Sequence, residues 1–199
     1  MAQRVCVTGA NGQAGRAVMR DLLDHGYEVA ATDITGTRDN GLLRADLTDY
    51  GQALEVLHGA DAVVHLANIP AQWSGIPFVA LRFSNIMSPA DYERFPEAWA
   101  DPLARRWNLW GYIDERDAAA ACRLALEVPA EAVAGSPSFI IAAADTVMDR
   151  PSADLLAEVF PGVDLTRDVG KFGTLLAIDR AREVLGFEPR HSWRDHVQA

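Results

Sequence analysis

Apolar and polar residues alternate along the chain in blocks that fit strands and helices in turn. Val5-Cys6-Val7 is a short apolar strand that runs into the turn Thr8-Gly9-Ala10-Asn11-Gly12-Gln13-Ala14-Gly15. Beyond it, Ala17, Val18, Leu22 and Leu23 recur at helical spacing and predict an amphipathic helix. Residues 27–33 predict a second strand, and a turn-rich patch at 35–41 leads to a short run at 42–45. The next predicted helix covers residues 50–57. Asp49 and Gln52 are spaced as a capping box for it, Thr48 is an equally fair cap, and Gly59 ends it. Residues 62–68 form a continuous apolar run, the pattern of a strand buried on both faces, and residues 78–83 predict another strand. A late helix runs through Ala118 to Glu127, with Asp114 as a natural N-cap and acidic residues in its first turn. The alternation predicts an α/β fold, a doubly wound parallel sheet.

The glycine turn carries the first chemistry. Gly9 allows a sharp exit from the strand, Gly12 lets the backbone approach a pyrophosphate, and Gly15 lets the helix pack tightly on the sheet. The helix N-terminus then faces the phosphates. The spacing, G-x-x-G-x-x-G, is one residue looser than the G-x-G-x-x-G fingerprint, and a purely structural turn is the other reading. The context favours a Rossmann-like dinucleotide site: a strand before, an amphipathic helix after, and Asp33 at the tip of the second strand. A carboxylate there accepts hydrogen bonds from ribose hydroxyls and repels a 2′-phosphate, which favours NAD over NADP. Arg38 reads as a solvated loop arginine.

Composition sets limits. A chain of 199 residues holds one domain with a sizeable core, or a core domain with a small appendage. The net charge of −10 leaves no basic surplus for nucleic acid or an anionic membrane. Cys6 and Cys122 both sit in apolar runs and read as buried thiols in a reducing cytoplasm rather than as a disulfide. No stretch approaches the ~18 uninterrupted apolar residues of a membrane span, and the chain starts directly with its first strand, so a cytoplasmic protein is expected.

Several segments together resemble the extended short-chain dehydrogenases/reductases, specifically the NAD-dependent epimerase/dehydratase family. Thr8–Gly15 is similar to that family's T-G-x-x-G-x-x-G loop, Asp46-Leu47 to its adenine-contacting pair, and His65-Leu66-Ala67 to its H-x-A segment. Leu81-Arg82-Phe83-Ser84-Asn85 resembles the L-R-x-x-N near the nicotinamide and substrate. Tyr112-Ile113-Asp114 with Arg116-Asp117-Ala118-Ala119 resembles Y-I-D-V-R-D-x-A, and Leu185-Gly186-Phe187-Glu188-Pro189 resembles the family's L-G-(W/F)-x-P ending. The resemblance implies NAD as cofactor, held by Gly9, Asn11, Gly12, Gln13, Gly15, Asp33, Asp46, Leu47, Leu66, Ala67, Asn68 and Phe83, with Asn85 and Arg105 toward a substrate. It also implies a dinucleotide-binding core over residues 1–87, to which 108–146 return, with a small substrate lobe formed by 88–107 and 147–199.

One departure outweighs the matches. The family carries a Ser/Thr and a Tyr-x-x-x-Lys pair in a long central stretch, the tyrosine as general acid/base and the lysine lowering its pKa. Here only nine residues, including Pro70, Gly75 and Pro77, separate Asn68 from Phe78, and no Tyr-x-x-x-Lys occurs anywhere. A parallel crossover needs about a dozen residues or more. The Phe78 strand therefore pairs antiparallel, joins a partner's sheet, or follows a segment that this sequence does not contain; the close match of both flanks favours the last, or a deletion. Tyr27 and Tyr50 read as structural. Tyr92, placed in a loop, and Tyr112 are poor bases without a neighbouring cation. His25 and His58 suit helix C-termini and His65 a core position, while His191 and His196 are badly spaced for a metal. Tyr92, Phe95, Trp99, Trp107 and Trp110 read as the core of the small lobe. The expected function is that of an NAD-binding relative of enzymes that epimerise, dehydrate or reduce a sugar nucleotide or similar hydroxylated substrate. The alternative is a non-catalytic NAD-binding sensor or interaction module. A small-molecule substrate and a homo-oligomer are the expected partners, with no metal.

Overall fold

The computed structural model describes residues 3–35, 41–66, 78–134 and 137–196. The chain divides into two compact units, Met1–Val79 with Ala118–Pro137, and Ala80–Asp117 with Ser138–Ala199.

The first unit is built on a four-stranded parallel sheet. Its elements in chain order are β1 (Arg4–Thr8), α1 (Gln13–Asp24), β2 (Glu28–Asp33), β3 (Leu43–Arg44), α2 (Tyr50–Leu57) and β4 (Ala62–His65). The sheet order is β3-β2-β1-β4, with Cys6 level with Ala30 on one side and Val63 on the other. Strand β1 is central, so Val5, Cys6 and Val7 are fully buried. Helix α1 turns Ala17, Val18 and Leu22 inward as its spacing predicts, and His25 caps its C-terminus. Asp49 is the N-cap of α2, accepting from the Gln52 amide at 2.9 Å. The capping box is only half made: the Gln52 side chain bonds the Asp46 N–H instead, at 2.9 Å. His58 is the C-cap of α2.

The late segment of this unit is anchored by charge and burial together. Arg123 bridges Asp21 of α1 and Glu127, each at 2.9 Å, and the Tyr27 hydroxyl donates to Glu127. Beside them burial pushes the Cys122 thiol up to about 12. Cys6 and Cys122 are both buried and free, as expected of small core residues. Residues 67–77, which include Ala67, Asn68 and the short connection, lie outside the described residues, as does Arg38.

The second unit holds two parallel strand pairs. Strand β5 (Ala80–Phe83) pairs with β8 (Ser138–Ile141), and β6 (Ile86–Met87) with β7 (Ile113–Asp114). Its helices are α3 (Pro96–Trp99), the start of α4 (Glu115–Glu127), α5 (Ser152–Val159) and α6 (Asp179–Leu185). The strand after the short connection is thus parallel to β8, and among the described residues β4 has β1 as its one strand partner. Parallel strands alternating with helices make the α/β, Rossmann-like architecture that the alternation predicts, here as a four-stranded sheet in the first unit and two parallel pairs in the second.

Aromatic rings fill the core of this unit. Tyr92, Phe95, Trp110, Tyr112 and Trp193 are buried together, and Tyr92 meets Tyr112 edge-on at 6.0 Å. Trp107 does not belong to it, being 69% exposed. Tyr92 lies on a 3-10 helix, Pro89–Arg94, rather than in a loop, because Ser88 and Asp91 cap that turn reciprocally. No helix among the described residues is long and apolar enough to cross a membrane.

Candidate functional site

A parallel sheet delivers the C-terminal ends of its strands to one edge, and in the first unit the candidate residues gather there. Thr8 is level with Thr32 and His65, so Gly9, Asp33 and Leu66 leave the sheet side by side. Gly9 has φ 71°, a conformation that favours glycine. Gly12 is the N-cap of α1, and a Cβ there would meet only the Gly9 carbonyl oxygen, at 3.3 Å. At Gly15 a Cβ would stand 2.3 Å from the same oxygen and 2.7 Å from Ala10 Cα. Only glycine allows α1 to begin this close to the turn. No acidic side chain occupies the first turn of α1, so the positive end of its dipole keeps room for an anion. Gln13 is the first residue of that helix.

Asp33 closes the mouth of the turn. Its Oδ2 accepts the Asn11 amide at 3.0 Å, and its Oδ1 accepts the Thr35 amide and hydroxyl, both at 2.9 Å. Burial pushes this carboxyl up, but the Thr35 and Asn11 donors outweigh it and hold it below its ordinary value. Asn11 also reaches the Thr35 carbonyl through its side chain. Asp46 follows β3 and accepts from the Thr48 hydroxyl and amide, which hold it below the ordinary range. Leu47 is beside it in sequence, and the Leu66 amide bonds the Thr8 carbonyl at 3.1 Å. Gly9, Asn11, Gly12, Gln13, Gly15, Asp33, Asp46, Leu47 and Leu66 thus all belong to one unit and follow the strand ends. Phe83, Asn85 and Arg105 belong to the other.

In that second unit Phe83 ends β5 level with Ile141, and the Asn85 carbonyl accepts from Ile113 at 2.9 Å. Arg105 sits in the 3-10 helix Pro102–Asn108, where burial lowers its pKa and its Nε and Nη2 have no hydrogen-bond partner. The two tyrosines considered for proton transfer are both buried against carboxylates. Tyr92 donates to Asp114, and Tyr112 donates to Asp145 at 2.8 Å. Burial first, and then the neighbouring carboxylate, pushes each phenol far above its ordinary value. A cation does stand near Tyr92: Arg116 binds Asp114 with both Nε and Nη2. Its effect is smaller than that of the burial and the carboxylate. The sole lysine, Lys171, lies over the Phe172 ring at 4.9 Å. His65 shares a 2.8 Å hydrogen bond with Thr8, and His191 bonds Asp117 at 2.7 Å.

Sequence reasoning missed two features of this unit. Asp117 and Asp145 anchor the C-terminal stretch: Asp117 takes the Arg190 and His191 amides, and Asp145 takes the Ser192 hydroxyl. A cavity of about 250 Å³ is lined by Leu109, Leu156, Phe160 and Leu175, with Val163 and Leu165 also apolar and exposed. Leu109 and Trp110 both have positive φ, 53° and 57°, a strain of about 1–3 kcal/mol each. It is held by Trp110 Nε1 on the Pro102 carbonyl and by Val147 N on the Trp110 carbonyl. Apolar Val163 and Leu165 inside a polar loop were the available signal for the cavity.

Comparison with known proteins fits this geometry. Residues 5–74 match the profile of the NAD dependent epimerase/dehydratase family. Over 80 residues the chain is 34% identical to cinnamoyl-CoA reductase 1 of Petunia hybrida, covering 33% of this chain and 24% of that protein. Over 80 residues it is 35% identical to the bifunctional dihydroflavonol 4-reductase/flavanone 4-reductase of Pyrus communis, covering 33% and 23%. The match therefore spans about a quarter of the length of these curated relatives. Among solved structures, a short-chain dehydrogenase/reductase superfamily protein from Agrobacterium tumefaciens with bound NAD superposes with a TM-score of 0.61 at 17% identity, over 96% of this chain and 94% of that one. L-threonine dehydrogenase from Clostridium difficile gives 0.64 at 14% identity over 98% and 95%. UDP-N-acetylglucosamine 4-epimerase from Bacillus cereus gives 0.61 at 14% over 96% and 95%. At such identities the structures establish the fold alone, a Rossmann-like α/β architecture. The chain has the Rossmann-like fold of these structures, and its residues 5–74 are similar to the NAD dependent epimerase/dehydratase family.

Proposed function

We propose that the chain binds NAD at the strand ends of its first unit and does not itself run the redox chemistry of its relatives. The observation that carries the first half is the turn itself, where Gly15 abuts the Gly9 carbonyl and Asp33 is locked at the mouth by Asn11 and Thr35. In this reading the Gly9–Gly15 turn and the start of α1 take the pyrophosphate. Asp33 takes the adenosine ribose hydroxyls, and Asp46 and Leu47 contact the adenine. The resemblance adds Leu66, Ala67 and Asn68 to the residues that hold the cofactor. NAD, when bound, supplies a hydride acceptor for a hydroxyl-bearing carbon. The chain would then have to supply an acid/base group, worth typically 10²–10⁴-fold. Tyr92 and Tyr112, both buried and tied to carboxylates, do not suit that task. The cytoplasm is the setting that suits two buried free thiols.

Calorimetry tests the binding half. Gly12 has an ordinary φ of −68° and a single close neighbour, so Gly12→Ala leaves the fold intact while its methyl group enters the space the pyrophosphate needs. NAD affinity is expected to fall at least tenfold in Gly12→Ala, and equal affinity rules the turn out as the cradle. For the second half, no NADH is expected to form from the wild-type chain with NAD and UDP-glucose. Turnover by a chain of verified mass overturns it.

A further inference from the structure

The cavity in the second unit has a chemistry of its own. Leu109, Leu156, Phe160 and Leu175 give it apolar walls, and recognition by such walls selects an apolar body. A dry cavity of ~150 Å³ already takes a benzene ring, so about 250 Å³ admits a ring with substituents. Its charged lining residues are Asp164 and Arg167. The Arg167 guanidinium is already engaged, donating Nη1 to Asp179 and Nη2 to the Leu176 carbonyl at 3.0 Å. Free guanidinium or ammonium groups favour a nucleoside diphosphate. Here it would meet one occupied arginine flanked by the carboxylates of Asp164 and Asp179. Arg105, which the resemblance places toward a substrate, does not line the cavity, and two of its nitrogens are buried.

Leu109 adds an independent sign. It is one of two successive non-glycine residues in the left-handed region, and its side chain lines the cavity. Strain of this kind clusters where a side chain must be aimed. We propose that this cavity holds the apolar, ring-bearing or branched aliphatic body of an uncharged small-molecule ligand, and that nucleoside diphosphates are not its ligands. The proposal stands apart from the NAD-binding reading.

The test uses the full chain and the uncharged fluorophore N-phenyl-1-naphthylamine, with UDP and 3-phenylpropanol as competitors. The fluorophore is expected to brighten on binding, to be displaced by 3-phenylpropanol and to stay bound in millimolar UDP. Leu109→Asn tolerates the left-handed backbone but makes the wall polar, and Val163→Glu places a charge at an exposed lining position. Each is expected to weaken fluorophore binding at least tenfold without altering NAD affinity. If Leu109→Asn fails to fold by circular dichroism, Val163→Glu decides. Displacement by UDP, no displacement by 3-phenylpropanol, or undiminished binding in a folded variant overturns the proposal. A chain that passes but does not bind NAD refutes the NAD reading and keeps the cavity. A chain that binds NAD but fails refutes the cavity alone.

Discussion

At Asp33 one carboxylate oxygen accepts the Asn11 amide and the other accepts two donors from Thr35. A carboxylate offers about four acceptor sites, so Oδ2 keeps capacity for a ribose hydroxyl while the charge stays fixed in place. Asp33→Ser removes the charge that repels a 2′-phosphate. The ratio of NADP to NAD affinity is then expected to rise roughly tenfold, about 1.4 kcal/mol, measured by titrating both nucleotides. Tighter NADP than NAD binding by the wild-type chain defeats this assignment. Tyr92 is the contrasting residue, because its hydroxyl serves Asp114 in a core without solvent. Tyr92→Phe is expected to cost about 1.5–3 kcal/mol, the worth of a hydrogen bond to a charged group, and to leave NAD affinity unchanged. Denaturant unfolding beside calorimetry separates the two readouts. The position of Asp33 was legible in sequence, because a strand end and a spacing fix it. The role of Tyr92 was not, since its partner lies 22 residues away and only the packed core brings them together.

Element boundaries were legible wherever a local rule governs them. Asp49 caps α2 and Asp114 accepts the Arg116 amide at the start of α4, both anticipated from residue type and position. Pairing was legible only in the first unit, where each strand follows the last through a helix or a loop of ordinary length. The partner of β5 lies more than fifty residues on, in β8, and no periodicity announces it. Two buried carboxylates make the consequences of tertiary setting measurable, with opposite signs. At Asp114 burial raises the pKa, but the Arg116 and Tyr92 hydrogen bonds win and lower it. Its contribution to stability is present above the unfolded value of about 3.9 and lost as pH falls through the folded one. At Asp145 burial wins over Ser192, Tyr112 and Arg194 and raises the pKa. Its stabilising effect is present at low pH and lost as pH rises through the raised value. The stability gap between wild type and Asp114→Asn is therefore expected to be wider at pH ~7 than at pH ~3.5, and that for Asp145→Asn to be wider at the lower pH. Denaturation midpoints at both values check this, and gaps that do not change with pH would refute it.

For the whole molecule, exposed apolar side chains have a consequence that reaches past catalysis. Among the described residues strand β4 has β1 as its one strand partner. Val64 on β4 is buried, while Val63 is 43% exposed. In the same stretch of chain, Tyr50, Leu54 and Leu57 recur at helical spacing on α2, and all three are exposed. Exposed apolar side chains are an aggregation hazard unless something covers them. A second copy of the chain can do so through matching surfaces, because a twofold interface buries the same patch on both partners. The protein is expected to sediment as a dimer or larger species at micromolar concentration. Leu54→Lys and Val63→Lys, both at exposed positions, should shift it toward monomer with little loss of folding stability. A wild-type chain that remains a soluble monomer across the concentration range defeats the idea, because its exposed apolar stretch would then need no covering.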